Sequence, residues 1–255
     1  MSDTPEVIGE VVLDQNLNLP TELTPEQLAN RLNVEFHFPT PIYFIEKPEF
    51  LETAKFVAKE YLYTARKNKE SDPNRDKLMD KLFPVVMSES FAHDERIRDL
   101  VMYIAQTSWN ILAEQGHAMA NQEVFVMDFW AQEHHMRSAN EEHVHGFGAQ
   151  MTGFYILEAP EKCSHISLHD PRPAKRQINL PEANMMNVSL ASTGVNYIPK
   201  PGTLYFMNTW VPHGFTRHGN DKPLKFIHFN LGSRWIPTPP MPDANTQTQS
   251  TAEII

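Results

Sequence analysis

Read for the alternation of apolar and polar positions, the chain divides into a helical first half and an extended second half. Residues 23–32 carry a helix start: Thr24 suits the cap, Pro25 the first turn, and Gln27 completes a capping-box spacing. A second helix begins near Pro48, where Phe50, Ala54, Val57, Tyr61, Leu62 and Ala65 recur every three or four residues on one face. A third covers about 94–115, with Ile97, Leu100, Val101, Ile104, Ile111 and Leu112 as its apolar stripe and Gly116 ending it. After Gly116 the period changes. Short β-branched and aromatic runs at 124–126, 152–157, 165–168, 203–207 and 226–231 are separated by Pro, Gly, Asn and Asp clusters. Such a series predicts a sandwich or jelly roll.

The expected class is therefore α+β with a mainly β core. Helices over 1–120 support a core over 121–236 in one domain, and 237–255 form a tail. The Pro-, Thr- and Asn-rich composition of 237–249 predicts a flexible or surface-laid segment. A length of 255 residues with 41% hydrophobic positions is enough for one sizeable core.

Composition mainly excludes. A formal net charge of −10 argues against a nucleic-acid partner, since phosphate backbones are bound by Lys and Arg clusters. The single Cys163 leaves no internal disulfide, and the N-terminus lacks the basic-then-apolar pattern of a signal peptide. No apolar run is long enough to span a bilayer. A cytoplasmic setting is the expectation. No Walker loop or G-x-G-x-x-G fingerprint occurs; Gly146-Phe147-Gly148 reads as a turn.

The histidines change the picture. Nine of twelve fall between His134 and His228. In a strand, alternate residues share a face, so His143 and His145 of Glu142-His143-Val144-His145 can aim at one point. Neutral imidazole is the commonest protein metal ligand. The best candidate for a third is His213, in Val211-Pro212-His213 beyond the 201–206 run. His134 and His135 are expected on the approach to the site, and His218 at the surface.

Five blocks then occur in order: Glu142-His143-Val144-His145, Thr152-Gly153-Phe154-Tyr155-Ile156-Leu157, His169-Asp170-Pro171-Arg172-Pro173, Pro199-Lys200-Pro201-Gly202-Thr203-Leu204 and Lys225-Phe226-Ile227-His228-Phe229-Asn230. Over about 122–235 the chain resembles the 2-oxoglutarate/iron(II) oxygenases of marine bacteria and their phages, a branch of the prolyl-4-hydroxylase-like double-stranded β-helix enzymes. The resemblance implies iron(II), 2-oxoglutarate as co-substrate, and a site with His143 as first and His213 as distal ligand. Where the wider family has a carboxylate, this chain has His145. Either the site has three histidines, or Asp170 supplies the carboxylate. The resemblance further implies Lys225, twelve residues after His213, as the cation for the distal carboxylate of 2-oxoglutarate. Tyr155 would stand near that carboxylate, with Arg172 and Arg234 as further cations. Trp130, Phe147, Phe154, Phe206 and Trp210 would provide apolar walls.

The implied activity is hydroxylation of a peptide or small molecule coupled to decarboxylation of 2-oxoglutarate. Two alternatives stand beside it: a cupin-like metal dioxygenase or isomerase that does not use 2-oxoglutarate, and a non-catalytic binding protein stabilised by its metal. The long connection over 171–196 is a candidate lid. The identity of the substrate and the oligomeric state are not legible in the sequence.

Overall fold

The computed structural model describes residues 35–82 and 84–237. The helix expected at 23–32 and the tail beyond Pro237 lie outside the described residues.

In chain order the elements are β1 (Ile42–Glu46), α1 (Leu51–Ser71), α2 (Lys77–Leu82), β2 (Val85–Met87), α3 (Arg98–Glu114), β3 (Gln122–His134), β4 (Asn140–His143), β5 (Ala149–Glu158), β6 (Ile166–His169), β7 (Gly194–Tyr197), β8 (Thr203–Asn208), β9 (His213–Phe215) and β10 (Leu224–Trp235). The two long helices start and stop as their residues dictate. A single 3-10 turn, Pro48–Phe50, leads into α1, and Ala54, Val57, Ala58 and Leu62 form its buried stripe. Before α3, the Asp94 carboxylate accepts from the Arg96 backbone N–H at 3.0 Å. Beyond α3, Gly116 takes a left-handed φ of 91°, so that its own N–H and that of His117 reach back to Ala113 and Leu112.

Among the described residues all strand pairs are antiparallel. One sheet has six strands in the order β1-β8-β5-β10-β3-β2, and the other has four in the order β4-β9-β6-β7. From β3 to β10 the chain passes back and forth between the two, which is the double-stranded β-helix. The larger sheet is apolar on both faces. Tyr155, Leu157, Phe206, Ile227 and Phe229 point to the helices, joining Ala54, Leu62, Leu100 and Ile104 in one core. Phe154, Ile156, Met207, Leu224 and Phe226 point between the sheets and meet Ile166, Leu168 and Phe215 in a second. Parity along β5 and β10 thus assigns every residue to the helix side or the barrel interior. Gly153 lets the layers close: a Cβ there would stand 2.0 Å from the Tyr205 carbonyl oxygen and 2.5 Å from the Phe229 ring.

The expected runs at 152–157, 165–168, 203–207 and 226–231 fall on β5, β6, β8 and β10 with little shift, whereas 124–126 is a fragment of the thirteen-residue β3. No helix is long and apolar enough to cross a membrane among the described residues.

Candidate metal centre

The four-stranded sheet brings the histidines together. His143 ends β4, His145 follows it by two residues, and His213 opens β9, where it pairs directly with His143. Gly214 makes that pairing close, since a Cβ there would lie 2.6 Å from the Asn140 carbonyl oxygen and 3.0 Å from that of Glu141. One ring nitrogen from each of His143, His145 and His213 lies within 4.8 Å of the others, and no other His, Cys, Asp or Glu joins such a group among the described residues.

Two tautomers are fixed by backbone carbonyls. His143 Nδ1 donates to Glu141 O at 2.8 Å, and His213 Nδ1 donates to Val211 O at 2.9 Å. Each therefore turns an Nε2 lone pair toward the centre. The Nε2 atoms of His145 and His213 face each other at 3.3 Å. Two ligands on bonds of about 2.1 Å stand roughly 3.0–3.4 Å apart, so this spacing fits a shared divalent ion. Burial pushes His213 down to about 3 and His145 down to about 4, the latter partly offset by the nearby Asp128 carboxylate. His145 and His213 are thus neutral at pH 7, as metal ligation requires.

Asp170 does not join them. Its carboxylate is bound by Arg172 at 2.7 Å and Lys175 at 3.1 Å, at the start of the connection to β7. Arg172 is spent on that pairing and does not reach the site. Arg234 is held by Glu123 at 2.6 Å.

Beside the triad lies a cavity of about 230 Å³. Its polar lining comes from Trp130, Gln132, Asn140, His143, His145 and His228, and its apolar lining from Val85, Met87, Phe154 and Phe215. Trp130 and Phe154 are walls as expected. Phe206 points to the helices instead, while Phe147 and Trp210 are exposed.

Lys225 and Tyr155 are not at the site. Lys225 differs from His228 by an odd number of residues on β10 and so faces the helix side, where it pairs with Glu158 at 3.1 Å and Glu133 at 3.9 Å. Tyr155 sits on the same outer face and donates its hydroxyl to the Lys47 carbonyl at 2.6 Å. The interior position beside Lys225 is filled by Leu224, which is fully buried. No Lys or Arg lines the cavity among the described residues.

Two polar residues of the cavity, His228 and Gln132, carried no role in the sequence. His228 is buried, stacks on Trp130 at 4.2 Å between centroids, and lies 5.0 Å from the His145 ring. Gln132 is 3.2 Å from His134 Nε2, and His134 is itself clasped edge-on by Phe215 and Phe226. Their signal was parity: Trp130, Gln132 and His134 alternate along one face of β3, as Phe226 and His228 do along β10. His218, expected at the surface, is buried; its Nδ1 accepts from the Ser164 N–H and its Nε2 donates to Lys222 O.

Residues 128–230 match a family model described as "Putative 2OG-Fe(II) oxygenase", 2OG being 2-oxoglutarate. The matched segment contains the whole triad and both walls of the cavity. Over this segment the chain is similar to the 2OG-Fe(II) oxygenases. Members of that family use iron(II) and 2-oxoglutarate, as the description states, and the triad of this chain is a group that could hold the metal. A comparison with curated protein sequences finds no match. Among solved structures, AviO1 from Streptomyces viridochromogenes Tue57 is similar with a TM-score of 0.52 at 12% identity, over 79% of this chain and 93% of that one. A prolyl-4-hydroxylase from Pseudomonas putida is similar with a TM-score of 0.50 at 10% identity, over 76% and 94%. At these identities the likeness concerns the fold alone, a double-stranded β-helix.

Proposed function

We propose that this oxygenase hydroxylates a peptide or small-molecule substrate, with His143, His145 and His213 as the three protein ligands of its iron(II). The carrying observation is the convergence of three imidazoles, two of them locked by Val211 and Glu141 carbonyls so that Nε2 faces the centre. Three protein ligands leave coordination positions open for a chelating keto acid and dioxygen. The bound iron and 2-oxoglutarate supply the oxidising chemistry. The overall balance is R–H + O₂ + 2-oxoglutarate → R–OH + succinate + CO₂.

The chain's own residues do the rest. The backbone-locked rings of His143 and His213 hold the ligand geometry. Phe154 and Phe215 keep water from the inner wall of the cavity. Val144 and Phe147, next to the ligands in the chain, are exposed apolar positions that would suit a substrate with aliphatic groups.

The connection after β6 is proposed as the lid. Arg176 in it makes two contacts to Glu142, at 2.6 and 2.8 Å, one residue from His143. The test is succinate formation by iron-loaded protein under air. Stoichiometric succinate from 2-oxoglutarate, lost in His213→Ala, supports this reading. Metal binding without any succinate would favour the cupin-like alternative, or a metal-stabilised binding protein if the ion only raises thermal stability.

A further inference from the structure

A co-substrate with two carboxylates would meet, in this chain, a cavity that no Lys or Arg lines among the described residues. The larger sheet's interior face carries buried polar atoms that have no protein partner: Trp130 Nε1, His228 Nδ1 and, one step deeper, His134 Nδ1. Leaving a buried donor unpaired costs about 1–3 kcal/mol, and native proteins rarely place several on one face without a ligand to meet them. Trp130 Nε1 is a donor only, so whatever meets it must accept a hydrogen bond. The Trp130 ring is set by its 25° stack on His228, its cross-strand partner, so its N–H direction is prepared in advance. The Gln132 carboxamide lies on the same face and lines the same cavity.

We propose that the distal carboxylate of the keto-acid co-substrate is held here by neutral donors, Trp130 Nε1 foremost with His228 and Gln132, and not by Lys225 or any other cation. Lys225 is removed twice over: it faces the helices, and its charge is already met by Glu158 and Glu133. The idea rests on the triad binding a metal and a chelating 2-oxo acid, as set out above. It adds which residues read the far end of that acid.

The experiment measures binding, not turnover. Calorimetric Kd values of zinc-loaded full-length protein would be taken for 2-oxoglutarate and for 2-oxopentanoate, which has the same chelating head without the distal carboxylate. Wild type should bind 2-oxoglutarate at least tenfold more tightly, the size of one or two hydrogen bonds to a charged group. Trp130→Phe keeps the stacked ring and removes the N–H. It should lose most of that preference while leaving 2-oxopentanoate binding unchanged. Lys225→Met should leave both constants within about twofold. The inference is overturned if Lys225→Met weakens 2-oxoglutarate tenfold, or if wild type binds both acids equally. It is also overturned if folded Trp130→Phe keeps full discrimination; should that variant not fold, Gln132→Met and Lys225→Met decide by the same readout. Zinc bound with neither acid binding would instead defeat the functional reading on which the inference rests, and the inference with it.

Discussion

Replacing Gly214 by Ala tests whether the β4–β9 pairing is what assembles the metal site. The added Cβ would stand 2.6 Å from the Asn140 carbonyl oxygen, against about 3.4 Å for ordinary contact, so β9 must retreat from β4 by about 0.8 Å. His143 and His213 face each other across that gap. Metal–ligand distances tolerate only about 0.2 Å, so the shift exceeds the tolerance roughly fourfold. Overpacking of this kind costs about 1–3 kcal/mol, reduced by several tenths because Ala stiffens the unfolded chain. For a domain of this size that is a fall in Tm of roughly 2–8 °C. Zinc affinity, measured by competition with a chromophoric chelator, should fall about 10–100-fold, the range seen when ligand orientation is lost. Gly194→Ala in the same sheet is the control, because its Cβ would meet nothing nearer than 3.5 Å. A Gly214→Ala protein that binds zinc as tightly as wild type would refute the reasoning.

Other outcomes follow from the same geometry. Burial holds His134 and His213 at about 3 and His145 at about 4, below the 6.5 of the unfolded chain. The unfolded state therefore takes up more protons, and metal-free stability should be full above about pH 6.5 and decline steadily toward pH 4; a Tm flat over that interval would contradict the burial of these rings. Asp170→Asn should leave zinc affinity within about threefold while His145→Ala lowers it at least a hundredfold, and the reverse ranking would make Asp170 the third ligand. Arg176→Ala removes the two contacts to Glu142 and should speed proteolytic cutting within 171–193 several-fold, with zinc stoichiometry unchanged. An unaltered digestion pattern would remove the lid assignment.

Much of the fold could be read from the chain because the larger sheet is apolar on both faces. β5 and β10 are runs such as Thr-Gly-Phe-Tyr-Ile-Leu that leave little choice but a buried strand. β4 escaped notice because Asn140-Glu141-Glu142-His143 sits at the mouth and has no apolar side to alternate. β2, β7 and β9 are three or four residues long, held by neighbours and not by their own pattern. Of the site, His143, His145 and His213 were legible, since H-x-H spacing and a distal His need only rough placement. Lys225 was misplaced for a sharper reason. Counting from His213 fixes a position along β10 but not its parity, and one residue decides between barrel interior and helix side. Reading β10 backward from Phe226 and His228 would have put Leu224 inside and Lys225 out. Trp130 was visible as a wall; its buried N–H became a binding feature only once the stack on His228 was seen.

The most direct measurement is X-ray absorption on anaerobic iron(II)-loaded protein, before and after addition of 2-oxoglutarate. The geometry predicts one iron per chain with three imidazole nitrogens in its first shell, retained when the keto acid adds two oxygens. An iron site with fewer than three imidazoles, or one that persists at full occupancy in a His143→Ala/His145→Ala/His213→Ala protein, would contradict it.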